Sequence, residues 1–263
     1  MACDKEISNG SILHRRTHYV NPDYKVVEPF IASLTERFAK GEGEVIYKGR
    51  NEIRKMNFSG YNLVIKAFTT PNIINRFAYG IIRGSKAKRS YLNAKSFLEI
   101  GVGTPIPIGY LDTRKGLLLD KSYYVSLLSE CENSYMSLFD ENENLQEAVC
   151  REIGRITAKL HNKGFLHKDY SRGNILFKVC QSGEIALDIV DLNRMRFGNV
   201  DMKDGCKNFE RLPATPQMQR WFAIEYASAR NFNEDECFSL IEKFRKQEEI
   251  IEKNRMLGSI LLM

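Results

Sequence analysis

No run of apolar residues in this 263-residue chain approaches the roughly 20 needed to cross a bilayer. The opening Met1-Ala2-Cys3-Asp4-Lys5-Glu6 has neither the basic flank nor the apolar stretch of a signal peptide, so the expectation is a cytoplasmic protein. No two of the six cysteines (Cys3, Cys131, Cys150, Cys180, Cys206 and Cys237) have C-x-x-C spacing, which argues against a zinc scaffold and a disulfide framework. Internal repeats and low-complexity linkers are absent too. Acidic residues are scarce in one long stretch: Glu44 to Ile100 holds three of them against eleven Lys or Arg, whereas Glu130 to Cys150 holds six acidic residues and no basic one. The first half therefore presents a positive field that would attract an anionic partner or membrane surface, although a solubilising basic face has the same pattern. The basic residues are not interleaved with the aromatic motifs of the common RNA-binding modules, so nucleic acid is not expected as a partner.

What is present is the composition of a soluble globular protein, 43% hydrophobic and 27% charged, with enough chain for one large core or two lobes around a cleft. Residues 1–22 read as a polar N-terminal arm. Strands are expected at Glu44-Val45-Ile46-Tyr47, from Glu52 to Phe58 and from Tyr61 to Phe68, with turns at Lys48-Gly49-Arg50-Asn51 and Ser59-Gly60. Ser85 caps a predicted helix through Glu99, with Tyr91, Ala94 and Leu98 on one face and Gly101 as its stop. Lys86, Lys88 and Arg89 fall in the first turn, where positive charge opposes the macrodipole; this points to a use in holding an anionic surface or the phosphates of a nucleotide. Two more strands flank Asp112-Thr113-Arg114-Lys115-Gly116, and the second ends at Ser129. Residues 23–130 thus form one predicted lobe and 131–263 another. In the latter, Leu145, Val149, Ile153, Ile156 and Leu160 make the stripe of a buried helix capped by Gly164, and Cys237, Ile241 and Phe244 make a second stripe.

The chemistry concentrates in His167-Lys168-Asp169-Tyr170-Ser171-Arg172-Gly173-Asn174, which reads H-x-D-x-x-x-x-N ahead of the apolar strand Ile175 to Val179. This is the form of a kinase catalytic loop, whose Asp accepts the proton of the acceptor hydroxyl and whose Asn holds Mg²⁺. A hairpin turning at Gln181-Ser182-Gly183 leads to Asp191-Leu192-Asn193, where a second metal ligand belongs. A polar surface loop would need none of this spacing. His167 is expected to orient the loop, His161 to cap or fill the core, and Asp188 to be structural. Lys168 and Arg172 flank the base and suit a γ-phosphate or an anionic acceptor.

Further segments carry a family resemblance: Gly49-Arg50-Asn51, Leu63-Val64-Ile65-Lys66, Ser85-Lys86-Ala87-Lys88-Arg89-Ser90, Gly101-Val102-Gly103-Thr104-Pro105-Ile106-Pro107, Leu160 to Asp169, Gly173 to Leu176, and Asp191-Leu192-Asn193-Arg194. With these the chain resembles the lipopolysaccharide kinases, the Kdo and heptose kinases of the protein-kinase-like superfamily. The resemblance implies an α+β, bilobal protein-kinase-like fold: a small antiparallel-sheet N-lobe with one helix and a mostly helical C-lobe. It implies Asp169 as catalytic base, Asn174 and Asp191 on Mg²⁺, and Lys66 on the α- and β-phosphates of ATP, with Gly49 and Arg50 in the nucleotide-binding turn. The acceptor it implies is a sugar hydroxyl of the lipopolysaccharide inner core, at the inner face of the cytoplasmic membrane. Three features depart from the pattern. No acidic residue lies between Ser85 and Leu98 to pair with Lys66, Gly49 stands alone in place of G-x-G-x-x-G, and D-L-N replaces D-F-G. These keep two other readings open: a kinase of a soluble small molecule or protein, as in the RIO and aminoglycoside kinase branches, and a non-catalytic pseudokinase that binds nucleotide or anionic lipid. Oligomeric state is not legible.

Overall fold

The computed structural model describes residues 6–11, 14–69 and 84–260. Residues 1–5 of the expected arm, Cys3 among them, lie outside the described residues, as do Arg76 and Arg83 of the basic stretch. The chain forms two compact units, Met1–Glu99 with Pro105–Ser129, and Ile100–Thr104 with Glu130–Met263.

The first unit is built on a seven-stranded antiparallel sheet in the order β1-β2-β6-β7-β5-β4-β3. Its strands are β1 (Ile7–Gly10), β2 (His14–Val20), β3 (Glu44–Lys48), β4 (Glu52–Phe58), β5 (Tyr61–Phe68), β6 (Pro107–Lys115) and β7 (Leu118–Leu127). The polar stretch expected as an arm is therefore a hairpin of the sheet. Its second strand pairs along β6 from His14↔Lys115 to Val20↔Gly109. Its charged end, His14 to Arg16, is exposed and burial begins only at His18 and Tyr19, so few residues carry the apolar signal of a strand. Strands β3 to β5 follow the sequence expectation, with a bulge in β3 between Val45 and Tyr47. The β6–β7 turn is at Gly116, and Asp112 to Lys115 belong to the strand itself.

Helices cover both faces of this sheet. A 3₁₀ turn (Pro22–Val27) and two short helices, α1 (Glu28–Ala32) and α2 (Leu34–Ala39), precede β3, where the sequence reading had no helix. Val27, Phe30, Ile31 and Leu34 follow i, i+3, i+4, i+7 spacing and bury against Leu63, Ile65, Ile108 and Val125. On the other face lies α3 (Lys86–Glu99). Ser85 Oγ accepts from Lys88 N at 2.9 Å, so the expected cap is present. Tyr91 and Ala94 are buried as expected, but Leu98 is exposed and Phe97 takes the core position. Because side chains alternate along a strand, Leu63 and Ile65 serve the α1–α2 core while Phe68 packs beside Ala87 and Tyr91 of α3. Lys66 shares the α3 face with Phe68.

The second unit is mainly helical. It contains β8 (Asn133–Ser134), a 3₁₀ turn (Tyr135–Asp140), α4 (Glu143–Asn162), β9 (Phe165–His167), β10 (Ile175–Val179), β11 (Ile185–Ile189), β12 (Met195–Phe197), α5 (Met202–Lys207), α6 (Pro216–Arg230) and α7 (Glu234–Ile260). Val149, Ile153 and Leu160 of the predicted α4 stripe are buried, as are Cys237, Ile241 and Phe244 of α7. Gly164 follows α4 at φ 75°, the left-handed conformation glycine adopts without strain. Gly103 answers a different need: a Cβ there would lie 1.9 Å from Leu187 O, and its own carbonyl accepts from Ile189 N at 2.9 Å. This joins the G-x-G-T-P segment to β11, the strand that leads to Asp191.

Candidate active site

Two short ladders position the catalytic-loop motif. β9 pairs with β12 at Met195↔His167, and Lys168 N donates to Arg194 O at 2.9 Å. β10 pairs with β11 at Ile175↔Ile189, and Val190 N donates to Asn174 O at 3.0 Å. Asn174 enters the hairpin and Asp191 leaves it, so hairpin geometry brings the two together.

His167 is fully buried, and its Nδ1 accepts from Asp169 N at 3.0 Å. The ring proton is therefore on Nε2, which donates to Val190 O at 3.2 Å. Burial holds the His167 pKa below its ordinary value, which keeps the ring neutral and Nδ1 able to accept. A one-way series of donors supports this loop from within. Arg230 Nη1 donates to Tyr226 Oη at 2.5 Å, and Tyr226 Oη to His161 Nδ1 at 2.8 Å. His161 Nε2 then donates to Asn208 Oδ1 at 3.1 Å, and Asn208 Nδ2 to His167 O at 2.8 Å. His161 is thus a core residue, and burial pushes its pKa down to about 4. Tyr170 is buried too, with its hydroxyl 2.8 Å from Thr157 Oγ1 of α4.

The Asn174 Nδ2 donates to Asp169 O at 2.7 Å, which leaves Oδ1 as the atom Asn174 can offer a cation. Asp191 has φ 61°, a left-handed backbone rare outside glycine and enriched at functional sites. Its Oδ1 accepts from Asn193 Nδ2. Mg²⁺ takes oxygen ligands, typically one or two carboxylates, with water and substrate phosphate completing the shell. An amide oxygen and a carboxylate suit that ion. Among the described residues no cluster of three or more His, Cys, Asp or Glu could hold a metal.

Asp169 itself is engaged by two guanidiniums that the sequence reading gave no role. Oδ1 accepts from Arg211 Nη1, and Oδ2 lies 4.0 Å from Arg194 Nη1. Arg194 closes the D-L-N-R segment and so was within reach of motif reasoning. Arg211 lies 42 positions from Asp169, in no motif, and reaches it beside an isolated parallel bridge between Ser171 and Arg211. Lys168 and Arg172 are exposed.

The remaining predicted residues belong to the first unit. Lys66 is half-buried on β5, in register with Ile53 and Tyr124, and its Nζ lies 5.4 Å from the Phe68 ring centroid. Gly49 and Arg50 are exposed in the β3–β4 turn. Asn51 Oδ1 accepts from Thr69 N at 3.3 Å, which ties that turn to the end of β5 that carries Lys66. Two carboxylates from outside α3 engage this part of the first unit. Glu6 accepts from Tyr110 Oη and pairs with Lys88 at 2.9 Å. Asp112 accepts from Ser122 Oγ at 2.7 Å, and burial pushes its pKa up to about 6. The proposed surface cluster is partly committed within the fold: Lys88 is paired, Lys86 Nζ lies 5.8 Å from the Phe68 ring centroid, and Arg89 is half-buried.

Comparison with known proteins gives the family and the fold. The model of the lipopolysaccharide kinase (Kdo/WaaP) family matches residues 87–232. No curated protein matches the chain. Among solved structures, WaaP in complex with acyl carrier protein is similar at a TM-score of 0.60 and 16% identity, over 88% of this chain and 98% of that one. A microcompartment-associated aminopropanol kinase is similar at a TM-score of 0.54 and 10% identity, over 81% of this chain and 86% of that one. At such identities the likeness is one of fold, the protein-kinase-like fold of an antiparallel-sheet region followed by a helical one. Among the described residues no helix is long and apolar enough to cross a membrane.

Proposed function

From the premise that the chain belongs to the lipopolysaccharide kinase (Kdo/WaaP) family, we propose that it transfers the γ-phosphoryl group of ATP to a sugar hydroxyl of the lipopolysaccharide inner core. The observation that carries this reading is the joint placement of Asp169, Asn174 and Asp191 by the β9–β12 and β10–β11 ladders. Asp169 accepts the hydroxyl proton, and the His167 hydrogen bond to its backbone N–H sets the turn that presents it. Asn174 and Asp191 hold Mg²⁺, which when bound neutralises charge on the phosphates. Lys66, with Gly49 and Arg50 at the same sheet end, takes the nucleotide phosphates. The work belongs where ATP is, on the cytoplasmic side, and the basic first half favours an anionic glycolipid near the membrane surface.

The test replaces Asp169 by Asn. Turnover on a Kdo-bearing lipid A acceptor should fall about 10²-fold or more, the usual scale for a positioned base, with ATP affinity unchanged in a thermal-shift titration. One feature of the sequence favours a second reading: no acidic residue lies from Ser85 through Leu98. If the wild-type chain binds ATP and Mg²⁺ yet phosphorylates neither inner-core sugars, small-molecule amines and alcohols nor protein, it is a binding module.

A further inference from the structure

The Asp169–Arg211 pair is costly to the proposed reaction as it stands. A base that must accept a hydroxyl proton has one oxygen occupied by Arg211, and its other oxygen faces Arg194 at 4.0 Å. Both arginines remain reachable: their side chains keep 41% and 60% of their accessible surface, against 24% for Asp169. Arg211 is held by backbone as well, through the bridge to Ser171 inside the catalytic loop. Arg194 is held by its carbonyl on Lys168 N. Two guanidiniums anchored by main chain around one carboxylate form a fork suited to a second carboxylate or a phosphate.

We propose that Arg211 and Arg194 form an anion subsite beside Asp169, and that the acceptor is a sugar whose reactive hydroxyl lies near a carboxylate or phosphate. As that anion binds, Arg211 moves from Asp169 to the acceptor, which frees Oδ1. The acceptor hydroxyl oxygen then bonds to the γ-phosphorus, the bond from that phosphorus to the β,γ-bridging oxygen breaks, ADP leaves with the bonding pair, and the hydroxyl proton passes to Asp169. A neutral acceptor leaves Arg211 on the base. The inference rests on the phosphotransferase reading for its chemistry, but the subsite can be measured without turnover.

The experiment is equilibrium binding by calorimetry, with ATP and Mg²⁺ omitted, of two matched pairs of probes: the methyl glycoside of Kdo with its carboxamide, and heptose 7-phosphate with heptose. The wild-type chain should prefer the anionic member of at least one pair by roughly 10- to 100-fold, the scale of one or two charge-assisted hydrogen bonds. The pair that discriminates identifies carboxylate or phosphate. Arg211→Ala should remove most of that preference and Arg211→Lys should keep part of it, with thermal melting confirming that both fold. Arg194→Ala, a change at an exposed side chain, should weaken the preference less. Equal binding of charged and neutral members overturns the subsite, as does an Arg211→Ala variant that weakens both members alike. A preference that holds while no phosphate is transferred keeps the subsite and removes the kinase reading.

Discussion

Acid should loosen the second unit through His161. Its Nδ1 accepts from Tyr226 and its Nε2 donates to Asn208, so the buried ring works only when neutral. Its pKa falls from 6.5 to about 4 on folding. Between those values the unfolded chain binds a proton that the folded chain refuses, so stability is present above pH 6.5 and is lost as pH falls toward 4. Each pH unit in that window costs about 1.4 kcal/mol, so a shift from pH 7.5 to pH 5 should cost about 2 kcal/mol from this group alone. His167 acts in the same direction. Asp112, in the first unit, acts in the opposite one, because its pKa is raised on folding to about 6 and its contribution is lost as pH rises. His161→Gln isolates the effect: its amide can both donate and accept but does not titrate, and the other two groups cancel in the difference. The chain has a single tryptophan. It is Trp221, buried in α6, so urea unfolding followed by its fluorescence reports the second unit. The variant should be less stable than wild type by about 1 kcal/mol at pH 7.5, the net scale of one hydrogen bond. The gap should close and then reverse by pH 5. A gap that stays constant from pH 7.5 to 5 refutes the reasoning.

Other consequences can be checked as directly. Asp191→Ala should abolish Mg²⁺-dependent phosphoryl transfer and the extra thermal shift that Mg²⁺ adds to ATP, while a transfer rate equal to wild type would remove Asp191 from the metal site. Gly103→Ala should lower the denaturation midpoint by an amount equivalent to about 3 kcal/mol, since its Cβ would meet the Leu187 backbone oxygen rather than a movable side chain. Unchanged melting would show that the Gly103–β11 approach is looser than described.

The parts legible in the sequence were those in which local chemistry sets local geometry. Ser85 ahead of Lys88, the positive φ at Gly164 and Gly183, and the tight turns that bound β4 and β5 are each set within a few residues. Asn174 and Asp191 were legible as neighbours because a hairpin with a recognisable turn lies between them. The β1–β2 hairpin was not, because most of its side chains face water and its pairing with β6 spans about a hundred residues. The short helices from Glu28 to Ala39 were missed although their apolar spacing was present. Arg211 and Asn208 were beyond reach for a different reason. Each touches the catalytic loop from over 40 positions away, through a contact that no residue pattern announces.

Among the described residues the seven-stranded sheet has two edges, and an open edge is a template for another chain. The β1 edge is only four residues long, Ile7–Gly10. The β3 edge is more inviting, since Val45, Ile46 and Tyr47 are about half exposed. Its bulge removes the invitation: Ile46 has no partner on β4, so the backbone groups on the outer side fall out of step with those of any straight strand laid beside them. The irregularity at Ile46 thus guards the protein against growing into an aggregate through its own sheet.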